Sequence, residues 1–300
     1  MKNNDANVGA IIVSYNPESS RLLALCEKLS KQVDVVILVD NGSKNFLDKN
    51  LITSDNIIVI SLVENLGIAT AQNIGINKIV ELGLQYVIFF DQDSIVSDGL
   101  VNTLKNNFIA SSMHEKVAVV GPVFFDYRFL FYYPHIILNK IGIRKRVILK
   151  PGDPITEVSF IISSGMFTSV DVLNDVGFMK DELFIDYVDT EWCFRSLSKG
   201  YKIFAIPDAC MEHAIGDNNI KFLCWKLPVH SPFRRYYRMR NMFYLFKLPY
   251  VPLVLKLREF ITNNIHQLII TIKSDNKKEY LNSWFKALVD GIKIMFGSKL

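Results

Sequence analysis

The residues best suited to chemistry in this chain are acids placed at the ends of apolar runs. Asp91-Gln92-Asp93 follows directly on the apolar run 86–90, so a turn after a buried strand could aim two carboxylates at one point. Hard divalent cations such as Mg2+ and Mn2+ take carboxylate and phosphate oxygens, and a departing diphosphate needs that neutralisation. The competing reading is a pair of acids that cap the next helix. Asp40, in Val39-Asp40-Asn41-Gly42-Ser43, ends a second apolar run. It could accept hydrogen bonds from a base or ribose, or simply close an Asx turn. Tyr15 ends the first run and could stack on a base or pack on the rim. Asp186, Asp189 and Glu191, with Arg195, open a helical stretch whose Trp192, Phe194 and Leu197 form an apolar face. There Asp189 reads either as a helix cap or as a general base for an attacking hydroxyl. His213 reads as a metal ligand or as a structural histidine. Arg234, Arg235, Arg238 and Arg240 cluster closely, with Arg234 and Arg238 on one helical face suited to bidentate phosphate contacts or to solvent.

These residues need a frame. Residues 8–14, 33–39, 57–62 and 86–90 read as strands, separated by helices over 18–31 and 67–82. Near-continuous apolar strands alternating with helices imply an α/β, doubly wound, mostly parallel sheet, whose ligands collect at the carboxyl ends of the strands. Further on, the pattern predicts a helix over 100–107, a strand over 117–123 and an irregular aromatic insert over 124–150. A strand over 161–170, helices over 172–176 and 190–199, and a strand over 202–206 follow.

Half of the 300 residues are hydrophobic, enough for a large core. The four cysteines are widely spaced with no CxxC pair, which suggests neither a zinc knuckle nor a disulfide framework and fits a reducing compartment. Residues 1–7 are polar and run straight into a strand, so no export signal is expected. The net charge of +4 hides a split: residues 1–220 carry 19 basic against 26 acidic side chains, residues 221–300 carry 15 against 4. In this basic tail, apolar runs are broken by Lys or Pro before the ~20 residues that would span a bilayer. The tail therefore reads as amphipathic helices lying on an anionic membrane surface, or as an ordinary core-packing pair. The acidic first 220 residues argue against nucleic acid as the partner.

Taken in order, Ile12-Val13-Ser14-Tyr15-Asn16, Val39-Asp40-Asn41-Gly42-Ser43, Asn65-Leu66-Gly67-Ile68-Ala69 with Gln72-Asn73-Ile74-Gly75, and Phe90-Asp91-Gln92-Asp93-Ser94 resemble the motifs of family 2 glycosyltransferases of the GT-A fold. Ser164-Gly165-Met166-Phe167, the stretch 184–195, His213 with Gly216, and Arg235-Tyr236-Tyr237 with Arg240-Asn241 extend the resemblance, which is to the bacterial rhamnosyltransferase-like branch. It implies a GT-A catalytic domain over 1–230, with a nucleotide-sugar half over 1–125 and an acceptor and base half over 126–230, and a basic helical tail over 231–300. By the same resemblance Tyr15, Asp40, Asn73, Asp91 and Arg240 bind the nucleotide sugar, and Asp91, Asp93 and His213 hold Mg2+ or Mn2+. Asp189 is then the base. Val188 stands where the family carries a glutamate, which keeps Asp186 and Glu191 as alternatives.

The implied reaction is inverting transfer of a sugar, with dTDP-L-rhamnose the favoured donor, onto a polyprenyl-diphosphate-linked glycan destined for a surface polysaccharide such as O antigen. The implied location is cytoplasmic, peripheral on the inner face of the cell membrane. Two other readings stay open: a non-catalytic nucleotide-sugar-binding protein, or a sugar-phosphate nucleotidyltransferase. The latter would show a Gly-rich basic loop where this chain has Ser14-Tyr15-Asn16-Pro17.

Overall fold

The computed structural model of the chain describes residues 7–44, 54–212, 218–222 and 225–297. In chain order its elements begin β1 (Val8–Ser14), α1 (Ser19–Ser30), β2 (Val35–Asp40), β3 (Ile57–Ser61), α2 (Ile68–Glu81), β4 (Tyr86–Asp91), α3 (Leu100–Ser112) and β5 (Val117–Asp126). They continue with β6 (Phe131–Tyr132), β7 (His135–Leu138), β8 (Arg144–Val147), β9 (Thr156–Glu157), β10 (Phe167–Ser169), α4 (Val170–Val176), α5 (Val188–Ser198) and β11 (Lys202–Glu212). The last are β12 (Asn218–Phe222), β13 (Trp225–Val229), α6 (Pro232–Lys247), α7 (Leu253–Lys273) and α8 (Lys277–Met295). These residues divide into two compact units: 1–137 with 146–184 and 188–213, and 138–145 with 185–187 and 214–300.

The first unit is built on a sheet in the order β3-β2-β1-β4-β10-β5-β11-β9, with β6 on β5. The β3-β2-β1-β4 run is parallel throughout, and β11 runs parallel to β5. Every residue of β2 and nearly every residue of β1 is buried, the burial expected of parallel strands covered on both faces. The expected doubly wound sheet is therefore present.

Three departures from the sequence reading have physical causes. The strand expected over 161–170 is only Phe167–Ser169, and it is antiparallel to β4 and β5. Ahead of it, Gly165 takes φ +77°, and a Cβ there would stand 2.6 Å from Pro122, so a turn held by a close backbone approach replaces the extended chain. The irregular insert contains the short hairpin β7-β8, and β5 runs on to Asp126. β11 continues past residue 206 to Glu212 through a shift in register between Ile206 and Cys210. Pro207 lies in that shift, where its missing N–H costs no ladder bond.

His135, in β7, is 7% exposed, and its Nε2 has no hydrogen-bond partner among the described residues. Burial pulls its pKa down from 6.5 to about 4. Because the unfolded chain takes up this proton first, the stability is intact above pH 6.5 and falls as the pH drops from 6.5 towards 4. The loss is on the order of 3 kcal/mol. Urea unfolding at stepped pH should show this decline, and His135→Gln should flatten it.

In the second unit, α6 opens with Ser231 as its cap, accepting the Arg234 N–H, and with Pro232 in its first turn. Met239, Met242, Phe243 and Ala287 form its apolar centre, joined by Tyr236, Trp284 and Leu288.

Candidate active site

β1 is the point where the strand order reverses, β2 lying on one side and β4 on the other. Open parallel sheets take ligands in the crevice beyond the strand ends at such a point. Parallel register sets Ser14 beside Asp40 and Val13 beside Asp91, so the ends carrying Tyr15, Asp40 and Asp91 emerge on one edge. The 91–94 segment closes as a turn, with the Ser94 N–H donating to the Asp91 carbonyl at 3.1 Å, and Asp93 is exposed on it.

Gln92, between the two acids, fastens this turn across the crevice: the Tyr15 N–H donates to its Oε1 at 2.7 Å, and its Nε2 donates to the Tyr15 carbonyl at 3.4 Å. The Tyr15 side chain is 43% exposed and available for stacking. Asp40 is 3% exposed; its carboxylate accepts from the Ser43 hydroxyl and from the Ser43 N–H at 3.4 Å. Ser43 Oγ in turn accepts the Asn16 N–H at 2.7 Å, joining the ends of β1 and β2.

The Asn65-Leu66-Gly67 segment is held to this edge by Asn41. Its amide donates to Asn65 Oδ1 at 3.0 Å, and its oxygen accepts the Leu66 N–H at 2.9 Å. Gly67, at φ +87°, leaves room for Phe184, whose ring would lie 2.6 Å from a Cβ there. The Phe184 carbonyl accepts the Ile68 N–H at 2.7 Å, capping the start of α2. Asn73 donates to the Met179 carbonyl and to Asp181 Oδ1, both at 2.8 Å, and accepts the Met179 N–H at 2.9 Å. Its amide ties α2 to the segment that leads into α5.

The loop 163–166 links the acids. Ser164 and Ser94 share a hydroxyl–hydroxyl bond of 2.6 Å. The Gly165 N–H donates to the Phe89 carbonyl at 2.7 Å, and the Phe89 N–H donates to the Met166 carbonyl at 3.1 Å. Ser163 donates its N–H to Asp189 Oδ2 at 3.1 Å, while its hydroxyl accepts Gln72 Nε2 at 2.6 Å. Asp189, in the first turn of α5, also accepts the Thr190 N–H on Oδ1 at 2.6 Å. A single loop thus connects the Asp91–Asp93 turn to Asp189.

The alternatives to Asp189 are committed to arginines. Glu191 is fully buried and takes a two-pronged contact from Arg195, at 3.1 and 3.0 Å, while Arg195 also donates to the Val176 and Phe178 carbonyls. Asp186, within the second unit, faces Arg234 and Arg238 at 3.2 Å each. Burial pushes its carboxyl up, but the charges of Arg238 and Arg234 outweigh that and hold it below the usual range. Those two guanidinium groups therefore face a carboxylate of their own chain. Arg240 is 7% exposed, bonded to Asn241 Oδ1 at 3.0 and 2.7 Å and stacked over Tyr237 at 4.7 Å. Asn241 Nδ2 donates to the Ile185 and Asp186 carbonyls. This holds a backbone in which Asp186 and Tyr187 have φ +64° and +66°. His213 lies outside the described residues.

Among the described residues no group of three or more His, Cys, Asp or Glu is gathered to hold a metal. Asp91 and Asp93 offer two hard carboxylate donors on one turn. That suits a divalent cation completed by the oxygens of a bound diphosphate, since Mg2+ is commonly shared in this way.

Residues 10–176 match the family model of glycosyl transferase family 2. The chain belongs to that family. It is 41% identical over 293 residues to the dTDP-rhamnosyl transferase RfbF of Shigella flexneri, covering 98% of each chain. Among solved structures it resembles S. aureus TarS 1–349 in complex with UDP-GlcNAc, with TM-score 0.56 and 16% identity over 96% of this chain and 81% of that one. It also resembles GalNAc-T7 with UDP, GalNAc and Mn2+, with TM-score 0.56 and 16% identity over 86% of this chain and 55% of that one. The fold of this glycosyltransferase is accordingly GT-A.

Three residues of the glycosyltransferase's site escape a reading of single motifs: Gln92, Gln72 and Ser163. Gln92 and Gln72 act through hydrogen bonds spanning 77 and 91 residues, and Ser163 bonds Asp189 across 26, none of which composition and periodicity encode. The Glu191–Arg195 pair carries its own prediction. Arg195→Ala strips the guanidinium from a fully buried carboxylate and should cost about 3–5 kcal/mol of folding stability. Denaturant unfolding measures it, and a midpoint equal to the parent's would contradict it.

Proposed function

We propose that this family 2 glycosyltransferase transfers L-rhamnose from dTDP-L-rhamnose, with inversion, to a hydroxyl of a polyprenyl-diphosphate-linked glycan. The carrying observation is the 41% identity, over 98% of both chains, to a dTDP-rhamnosyl transferase. Family membership decides against a nucleotidyltransferase, and a non-catalytic protein would have no use for Asp189 wired to the Asp91–Asp93 turn.

Tyr15 stacks on the base at the crevice mouth, and Asp40, at the end of β2, meets the ribose. Asn73 serves the donor side by holding α2 in place. Asp91 and Asp93, with His213, would hold Mg2+ or Mn2+, which neutralises the charge that develops on the leaving dTDP. Asp189 takes the proton from the acceptor hydroxyl, whose oxygen attacks the anomeric carbon as the C–O bond to the diphosphate breaks. Ser163 and Thr190 orient the carboxylate for this by donating to its two oxygens.

Residues 1–230 form the catalytic domain in this reading, and 231–300 a basic tail that keeps the enzyme on the inner membrane face. Among the described residues, no helix is long and apolar enough to cross a membrane. A panel of nucleotide sugars with Mg2+ or Mn2+, read by release of nucleoside diphosphate with and without a lipid-linked acceptor extract, tests the proposal. Acceptor-stimulated dTDP release from dTDP-L-rhamnose alone is the expected result. Release from another donor instead would retire the rhamnose assignment.

A further inference from the structure

Helix α7 is inside out. A helix on a water-soluble surface buries an apolar stripe and shows polar residues to solvent. In α7 the buried positions include Lys256, Glu259, Asn263, Gln267 and Thr271, a stripe at spacings of three and four. These side chains work inward. Lys256 donates to the Leu248 carbonyl at 2.6 Å, Glu259 pairs with Arg144 at 2.6 Å, and Gln267 accepts Arg235 Nε at 2.7 Å. Asn263 accepts Arg238 Nε at 3.0 Å.

The outward positions are Leu253, Leu257, Ile261, Ile265, Leu268 and Ile272, each between 47% and 62% exposed, again at spacings of three and four. They make one unbroken apolar ridge about 30 Å long, given the rise of a helix over 21 residues. α8 carries a second ridge, in which Phe285 is 71% exposed and Leu281, Val289 and Ile292 lie at three- and four-residue spacing around it. Soluble monomers rarely leave so long a contiguous apolar face to water.

We propose that the outward ridges of α7 and α8 lie in the interfacial layer of an anionic bilayer, with both helices parallel to the membrane plane. This deepens the reading of a lipid-linked acceptor by naming the surface that meets the lipid. Charge decides between a bilayer and a second copy of the chain. Residues 221–300 hold 15 basic against 4 acidic side chains, and Lys273, Lys277, Lys278, Lys286 and Lys293 are exposed on or between these two helices. Two such faces repel one another, whereas acidic headgroups attract them. Apolar side chains then enter the acyl boundary while lysines reach the headgroups. The inward polar stripe stays in protein.

The test is sedimentation of the full chain with sucrose-loaded vesicles of phosphatidylcholine and phosphatidylglycerol, against phosphatidylcholine alone. The parent is compared with Ile261→Gln/Ile265→Gln and with Phe129→Ser, an exposed apolar position in the first unit. The expected result is binding to anionic vesicles, weakened about tenfold or more in the α7 double variant and unchanged in Phe129→Ser. Absence of parent binding, or equal binding by the double variant, overturns the proposal. So does parent self-association without lipid that the double variant abolishes, since the ridge would then serve a second copy. Circular dichroism melts confirm that the variants are folded. Binding needs neither donor nor turnover, so a failed donor panel leaves this result readable, and a failed vesicle result leaves the donor assignment standing.

Discussion

Asp91→Ala is expected to lower sugar transfer about a thousandfold or more while leaving the melting temperature near that of the parent chain. The two halves of this expectation have separate causes. Asp91 closes β4, and its strand pairing with Val13 and its carbonyl bond to the Ser94 N–H are made by backbone atoms, which alanine keeps. What alanine removes is a carboxylate at the switch point, one of two on a turn that would neutralise a leaving diphosphate. Steady-state dTDP release against Mn2+ concentration measures the effect. A variant within tenfold of the parent that keeps its metal response would remove Asp91 from the metal role.

Asp189→Asn is expected to slow transfer by about 10²–10⁴-fold, the range for losing a positioned general base, with the donor KM close to the parent's. Asparagine keeps one acceptor oxygen for the Ser163 or Thr190 N–H, so α5 should stay in place while basicity is lost. The two rival acids make the experiment specific. Glu191→Gln disturbs the buried pair with Arg195 and should appear first as lost stability, and Asp186 already faces two arginines. A near-parent rate for Asp189→Asn would end its assignment as base.

The parallel half of the fold was legible because its strands are buried on both faces. Runs such as 8–14 and 33–39 are near-continuously apolar, the pattern of a parallel strand, and the structure buries them as β1 (Val8–Ser14) and β2 (Val35–Asp40). Acids directly after such runs mark the ligand edge for the same reason, so Tyr15, Asp40 and Asp91 could be placed together before any coordinates. The second half was less legible because its order rests on non-local contacts. Residues 161–166 are apolar enough to read as strand, yet Ser163 and Ser164 bond to Asp189, Gln72 and Ser94, and the backbone turns at Gly165. The arginine cluster was legible as a helix face but not in its partner, since Asp186 lies 48 residues before Arg234. Asn73 and Arg240, which the family resemblance sets on the donor side, also bond within the chain, to the Met179 carbonyl and to Asn241, and periodicity does not encode those bonds.

The reciprocal clasp between Gln92 and Tyr15 bears on how the acidic motif is recognised in relatives. A search pattern that writes the centre of Asp-x-Asp as a wildcard discards the side chain that fastens the loop to the neighbouring strand. A relative with an apolar residue there must secure Tyr15's backbone by some other means or accept a looser crevice. The middle letter therefore records how the acidic turn is fastened to the neighbouring strand, which the two acids that name the motif do not.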